Sequence, residues 1–150
     1  MNMQLQTTRF GVIDYSEEDI YYFEQGIPGF KEEQSYLLIT VEESPFMCLQ
    51  STTIENISFI VTSPFDFFKQ YEFTLPQNIQ EELKLTNETD VKIVNIVNIR
   101  DVLSAATINL GAPIVLNTRE RLAVQYILPD GQYAIHQPLF NDLVAKKGGQ

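Results

Sequence analysis

The stretch Asp19–Phe30, DIYYFEQGIPGF, runs an aromatic segment of strand character into a turn that holds two of the chain's seven glycines and one of its seven prolines. Gly26 and Gly29 can take positive φ without a Cβ clash, while Pro28 fixes its own φ and keeps Ile27 extended. The chain must therefore turn tightly after DIYYFE, and Phe30 leaves the turn in a fixed position. A turn this stiff loses little entropy when touched, so it suits either the end of a barrel or a recognition loop.

Similar short β-rich runs recur on both sides of it: RFGVIDY, SYLLITV, PFMCLQS, ISFIVTS, YEFTL, VKIVNIVNI, ATINL, APIVLN, RLAVQYIL and YAIHQPL. Each is bounded by Gly, Pro, Asn, Asp or acidic turns. The spacing predicts an all-β fold, a small antiparallel β-barrel-like or sandwich domain. Val91, Ile93, Ile96 and Ile99 break strict alternation, so that strand is expected to be bulged or buried on both faces. Only LPQNIQEELKL follows a helical period, with Leu75, Ile79 and Leu83 on one stripe, Pro76 in the first turn and Glu81 and Glu82 outward. One short helix is expected there. No linker, repeat or low-complexity stretch divides the chain, so residues 1–150 read as a single domain, with AKKGGQ (about 145–150) as a frayed end.

A domain of 150 residues buries roughly 70% of the surface its unfolded chain exposes, so it needs no disulfide or metal staple. Hydrophobic residues are 44% and charged residues 20%, near the globular average. The start lacks a basic segment followed by an apolar core, and no window approaches the length of a membrane helix. The expected location is cytoplasmic, with no membrane association. Cys48 is the only cysteine, which leaves no internal disulfide and reads as a small buried apolar side chain. Twenty Asp and Glu against ten Lys and Arg give a net charge of −10, which argues against direct nucleic-acid binding. Residues 1–75 hold twelve acids and three bases, and so carry nearly all of that excess. Such clusters as DYSEEDI can solubilise loops or form an acidic face that attracts a basic protein.

Catalytic chemistry is scarce. His136 is the single histidine, so no two-histidine metal site can be built, and it reads as a strand-edge or packed residue. The serines lie in no G-x-S-x-G elbow, and no phosphate-cradling GxxxxGK[ST] or GxGxxG is present. No enzyme activity, cofactor or metal is expected. The aromatic residues point elsewhere: in SPFDFFKQYEF, Phe65, Phe67, Phe68, Tyr71 and Phe73 cannot share one strand face, so some are expected at the surface. Exposed Phe and Tyr beside acids supply the apolar centre and polar rim of a protein interface.

FGVIDYSEEDIYYFEQGIPGF, PFMCLQST, SPFDFFKQYEF and TINLGAPIVLNTRERLAVQYIL come in the order and approximate spacing of the flagellar assembly factor FliW family, which the chain resembles from about Phe10 to Pro138. The GIPGF turn and the segment Thr107–Asn117 together make the resemblance specific. The chain departs from the family pattern at Glu24, where proline is frequent, and at Cys48, where a larger apolar residue is common. The resemblance implies a small all-β protein without catalysis that binds two cytoplasmic proteins in alternation. One is flagellin. The other is CsrA, an RNA-binding repressor of flagellin translation, which the family member sequesters until accumulating flagellin takes it away.

The residues expected to carry partner binding are of two kinds. Asp14, Glu17 and Glu18 are expected to cluster in a turn between strands and to pair with CsrA or repel its RNA. Ile27, Pro28 and Phe30 in the stiff turn, with Phe65 and Tyr71 in the aromatic run, are expected to form the apolar part. Asn109 and Asn117 are expected to hold turns by side-chain to backbone hydrogen bonds. The alternatives are a flagellin chaperone without CsrA regulation and a small-ligand barrel or hydrolase, which needs a pocket lined by convergent polar groups.

Overall fold

The computed structural model describes residues 2–140, and the expected frayed stretch at about 145–150 lies outside them. Eleven strands follow in chain order: β1 (Asn2–Thr7), β2 (Gly11–Ser16), β3 (Ile20–Phe23), β4 (Ser35–Thr40), β5 (Phe46–Ser51), β6 (Ser58–Thr62), β7 (Val91–Asn98), β8 (Thr107–Ile108), β9 (Ile114–Asn117), β10 (Leu122–Gln125) and β11 (Gln137–Pro138). One helix, α1 (Gln77–Glu82), lies between β6 and β7 with Pro76 as its N-cap residue and Leu83 buried at its end. It is the helix that the period of LPQNIQEELKL predicts.

Strands β3 to β7 pair as an antiparallel meander, β7 pairs β9, β9 pairs β10, and β10 returns to β3, closing a seven-stranded barrel. Closure removes the exposed edges that an open sheet would present. The closing seam is the one parallel pairing among the described residues, and it is short: Leu122 faces Tyr22 and Ala123 faces Phe23. Arg121 holds it at a left-handed φ of 59°. Its carbonyl accepts from Tyr22 N–H at 2.9 Å, its guanidinium donates to the Asp19 carbonyl at 2.8 Å, and that group stacks 3.8 Å from the Tyr21 ring centroid.

The broken alternation in VKIVNIVNI has a topological cause. Val91–Val94 pair with β9 inside the barrel wall, whereas Val97 and Asn98 pair with β8, which leaves the barrel and carries β11 on its far edge. Val94 therefore enters the barrel core with Phe23, Tyr36, Leu49 and Leu116, while Val97 enters a second cluster outside it. That second cluster, with Tyr71, Ile108 and Leu139 at its centre, packs against Phe46, Phe67, Phe68 and Phe73. YEFTL, expected as a strand, is instead an irregular segment: its aromatic residues bury against the barrel's outer wall, and a ladder partner would pull them off it. NMQLQT, outside the β-rich runs that the sequence marks, supplies β1, paired with β2 from Asn2↔Ser16 to Thr7↔Gly11.

Candidate functional site

Gly26 and Gly29 take φ of +68° and +91°, as the turn requires. Pro28 and Gly29 form the corner of a tight turn closed by Phe30 N–H donating to the Ile27 carbonyl at 2.7 Å. The turn splits its own residues. Ile27 is 1% exposed and joins the barrel core, so the expectation that it offers a contact surface is corrected: the extended backbone before Pro28 aims its side chain inward. Pro28 and Phe30 stay exposed, and the Phe30 ring stands edge-on to Phe59 at 5.3 Å.

Beside Phe30 lies a cleft of about 510 Å³ walled by Gly29, Lys31, Ile54 and Ile57, with Glu32 and Glu33 also on its lining. Glu33 is buried, its two carboxylate oxygens 2.8 and 2.6 Å from Thr53 Oγ1, whose single proton serves both. Burial, with the Glu33 charge adding to it, pushes the Tyr36 phenol up to about 12.

A larger cleft of about 670 Å³ runs under the aromatic segment. Phe65, Phe73, Leu75, Leu85, Val91 and Ile93 give it apolar walls, and Glu72 and Glu88 stand on its lining. Phe65 is exposed, whereas Tyr71, expected as a contact residue, is 4% exposed, which is a second correction. The Tyr71 hydroxyl donates to the Leu110 carbonyl at 2.6 Å and accepts from Asn95 Nδ2 at 3.3 Å. A phenol with both partners buried is an anchor for the segment, and burial raises it to about 12. Tyr71 and Phe65 do share this cleft, their rings 5.9 Å apart.

The acids do not form one turn. Glu17 and Glu18 are exposed in the 3₁₀ turn Glu17–Asp19, which Ser16 N–H caps by donating to Asp19 Oδ2 at 2.9 Å. Asp14 is exposed too, but it sits within β2 opposite Gln4, because the strand runs on to Ser16, through the start of the acidic cluster.

Asn109 and Asn117 hold turns. Asn109 Oδ1 accepts from Gly111 N–H at 3.0 Å. Asn117, 1% exposed, donates to the carbonyls of Leu83 and Lys84 and accepts from the N–H groups of Arg119 and Glu120, tying the end of α1 to the β9–β10 turn. Cys48 is buried, and burial raises its thiol against the lowering effect of the Arg9 charge. His136 is exposed in a turn before β11, neither packed nor within a strand. Glu33, Glu72, Glu88 and Ile54 escaped sequence reasoning, since no local pattern separates them from other acids and aliphatics. Among the described residues, no group of three or more His, Cys, Asp or Glu converges as a metal site, and no helix is long and apolar enough to cross a membrane.

Closed wall, stiff turn and apolar clefts carrying carboxylates define a class: a small β-barrel protein with apolar grooves edged by acids on its surface. The pattern of the FliW protein family matches residues 4–139, and the chain belongs to the FliW family of flagellar assembly factors. A relative from Geobacillus kaustophilus (strain HTA426), described as flagellar assembly factor FliW, is 42% identical over 144 residues, 96% of this chain and 100% of the relative. Another so described, from Bacillus subtilis (strain 168), is 41% identical over 138 residues, 91% of this chain and 96% of that protein. A crystal structure of the flagellar assembly factor FliW matches with a TM-score of 0.88 at 40% identity, covering 92% of this chain and 97% of that one.

Proposed function

We propose that the protein is a non-enzymatic, cytoplasmic regulator of flagellum assembly that binds and antagonises the translational repressor CsrA and is drawn away from it by flagellin. The observation that carries this reading is the family match across residues 4–139. Charge supports it: an RNA-binding repressor offers a basic surface, and a partner of net −10 associates with it quickly and repels incoming phosphate. Repulsion fades over about 8 Å at physiological salt, so the acids must dock close to the RNA path. The exposed pair Glu17 and Glu18 and the exposed Asp14 are the acids assigned to that role. The cleft with Phe65 on its wall and Glu72 and Glu88 beside it suits an apolar segment that also carries a cation, and Pro28 and Phe30 offer a second, rigid contact.

A three-component competition tests the reading. Labelled flagellin-message RNA is bound to CsrA, this protein is added, and flagellin follows. Release of RNA at the second step and its rebinding at the third are expected, with release weakened in a variant that neutralises Asp14, Glu17 and Glu18 together. Flagellin binding with no effect on RNA occupancy would instead identify a chaperone without CsrA regulation, and absence of binding to either protein at micromolar concentration would overturn both.

A further inference from the structure

The tip of the β1–β2 hairpin reaches the barrel wall, where Arg9 Nε donates to Ser58 Oγ on β6 at 3.2 Å. The guanidinium lies where two cavities adjoin. One, of about 330 Å³, carries the polar side chains Asn98, Thr107 and His136 on its wall. The other, of about 480 Å³, is lined by apolar side chains that include Phe10, Phe46 and Met47. Arg9, Ile60 and Ile99 belong to both linings, so the two cavities adjoin along these side chains as neighbouring parts of one surface region, polar groups on one side, apolar groups on the other and the cation at the boundary.

Its charge is at odds with the molecule. No Asp or Glu lines either cavity, although acids outnumber Lys and Arg twenty to ten. Among the described residues the one ion pair joins Arg119 to Asp90, and Arg9 has no carboxylate partner. Asn98, Thr107 and His136 make no side-chain hydrogen bond among the described residues; Asn98 and His136 are exposed and Thr107 half-buried, so their polar groups face solvent and are open to a ligand. The Arg9 charge also extends to the apolar end, where it opposes the rise that burial imposes on Cys48. A cation beside solvent-facing polar groups selects an anionic head, and a guanidinium fork fits carboxylate and phosphate alike. The adjoining hydrophobic wall selects hydrocarbon.

We propose that this region binds a single-headed anionic amphiphile, a carboxylate or phosphate on an aliphatic chain, with its head between Arg9 and His136 and its chain along Phe46 and Met47. The site is separate from the clefts assigned to polypeptide partners and does not depend on that assignment.

The test is a titration of the ¹⁵N-labelled full chain, followed by NMR, with decanoate and with monodecyl phosphate below their micelle-forming concentrations. Inorganic phosphate and decanol serve as head-only and tail-only probes. Saturable shifts centred on Arg9, Cys48, Ile99 and His136 are expected for one or both amphiphiles, the stronger arm identifying the head. Both single-feature probes should bind at least about tenfold more weakly, and Arg9→Gln should weaken the amphiphile by a similar factor. His136→Glu, at an exposed position with no anchoring bond, should do the same without disturbing the hairpin. The proposal is overturned if neither amphiphile saturates, if decanol or inorganic phosphate binds as tightly as the matching amphiphile, or if His136→Glu leaves affinity unchanged.

Discussion

Replacing Gly26 by alanine isolates the constraint that shapes the GIPGF turn, with Gly29→Ala as its internal control. Both glycines have left-handed φ, +68° and +91°, and an L side chain there costs about 1–2 kcal/mol. The loss of unfolded-state freedom returns roughly 0.4–1 kcal/mol in each variant. The surroundings then separate them. A Cβ on Gly26 would stand 2.5 Å from the Lys31 carbonyl oxygen, 2.6 Å from its Cα and 2.8 Å from its carbonyl carbon, whereas a Cβ on Gly29 meets nothing within 4 Å. All three Lys31 atoms are backbone and cannot swing aside, so the clash adds an overpacking cost of about 1–3 kcal/mol. Gly29→Ala should therefore destabilise by at most about 1.6 kcal/mol, and Gly26→Ala by about 1–5 kcal/mol. Urea unfolding followed by tyrosine fluorescence reads the difference as a lower midpoint at equal slope. Equal losses in the two variants would refute the assignment of the turn's rigidity to backbone contact at Gly26.

Other consequences follow from buried polar groups. Tyr36→Phe removes a hydroxyl that has no hydrogen-bond partner, so stability at pH 7 should hold or rise, while Tyr71→Phe orphans the Leu110 carbonyl and should cost about 1–3 kcal/mol in the same assay. Both phenols are pushed up to about 12, above their unfolded value of roughly 10. The folded state thus holds these protons more tightly. Stability is therefore unaffected by these phenols' titration below pH 10 and falls between about pH 10 and 12, at up to about 1.4 kcal/mol per pH unit for each phenol, because the unfolded chain ionises first. Urea midpoints at pH 8 and pH 11 should differ accordingly, and Tyr36→Phe should flatten the decline; identical slopes in parent and variant would contradict this. Asn117→Ala leaves two carbonyls and two N–H groups at the α1–β9 junction without their partner and should cost about 2–4 kcal/mol, read from the thermal midpoint. Phe65→Ala, at an exposed position, should leave stability within about 0.5 kcal/mol and weaken partner binding; unchanged affinity for both flagellin and CsrA would remove this cleft from the interface.

Local sequence decided whatever depends on a residue and its immediate neighbours. Positive φ at Gly26 and Gly29, the helix after Pro76, the side-chain turns at Asn109 and Asn117 and most strand segments follow from steric and hydrogen-bonding preferences that act over a few bonds. Net charge is likewise a plain property of the chain. Tertiary structure alone decided which apolar residues reach solvent. Ile27 and Phe30 sit three positions apart in one turn, yet one fills the barrel and the other stands against Phe59 at a cleft, because the tight turn between them sends their side chains to opposite sides. Tyr71 reads like Phe65 in sequence, but Leu110 and Asn95, remote in the chain, supply the bonds that bury it. The parallel β3–β10 seam and the placing of Arg9 and His136 on the wall of one cavity likewise depend on the tertiary structure. Each joins segments roughly 100 or more residues apart, where no sequence periodicity extends and only the folded chain brings the groups together.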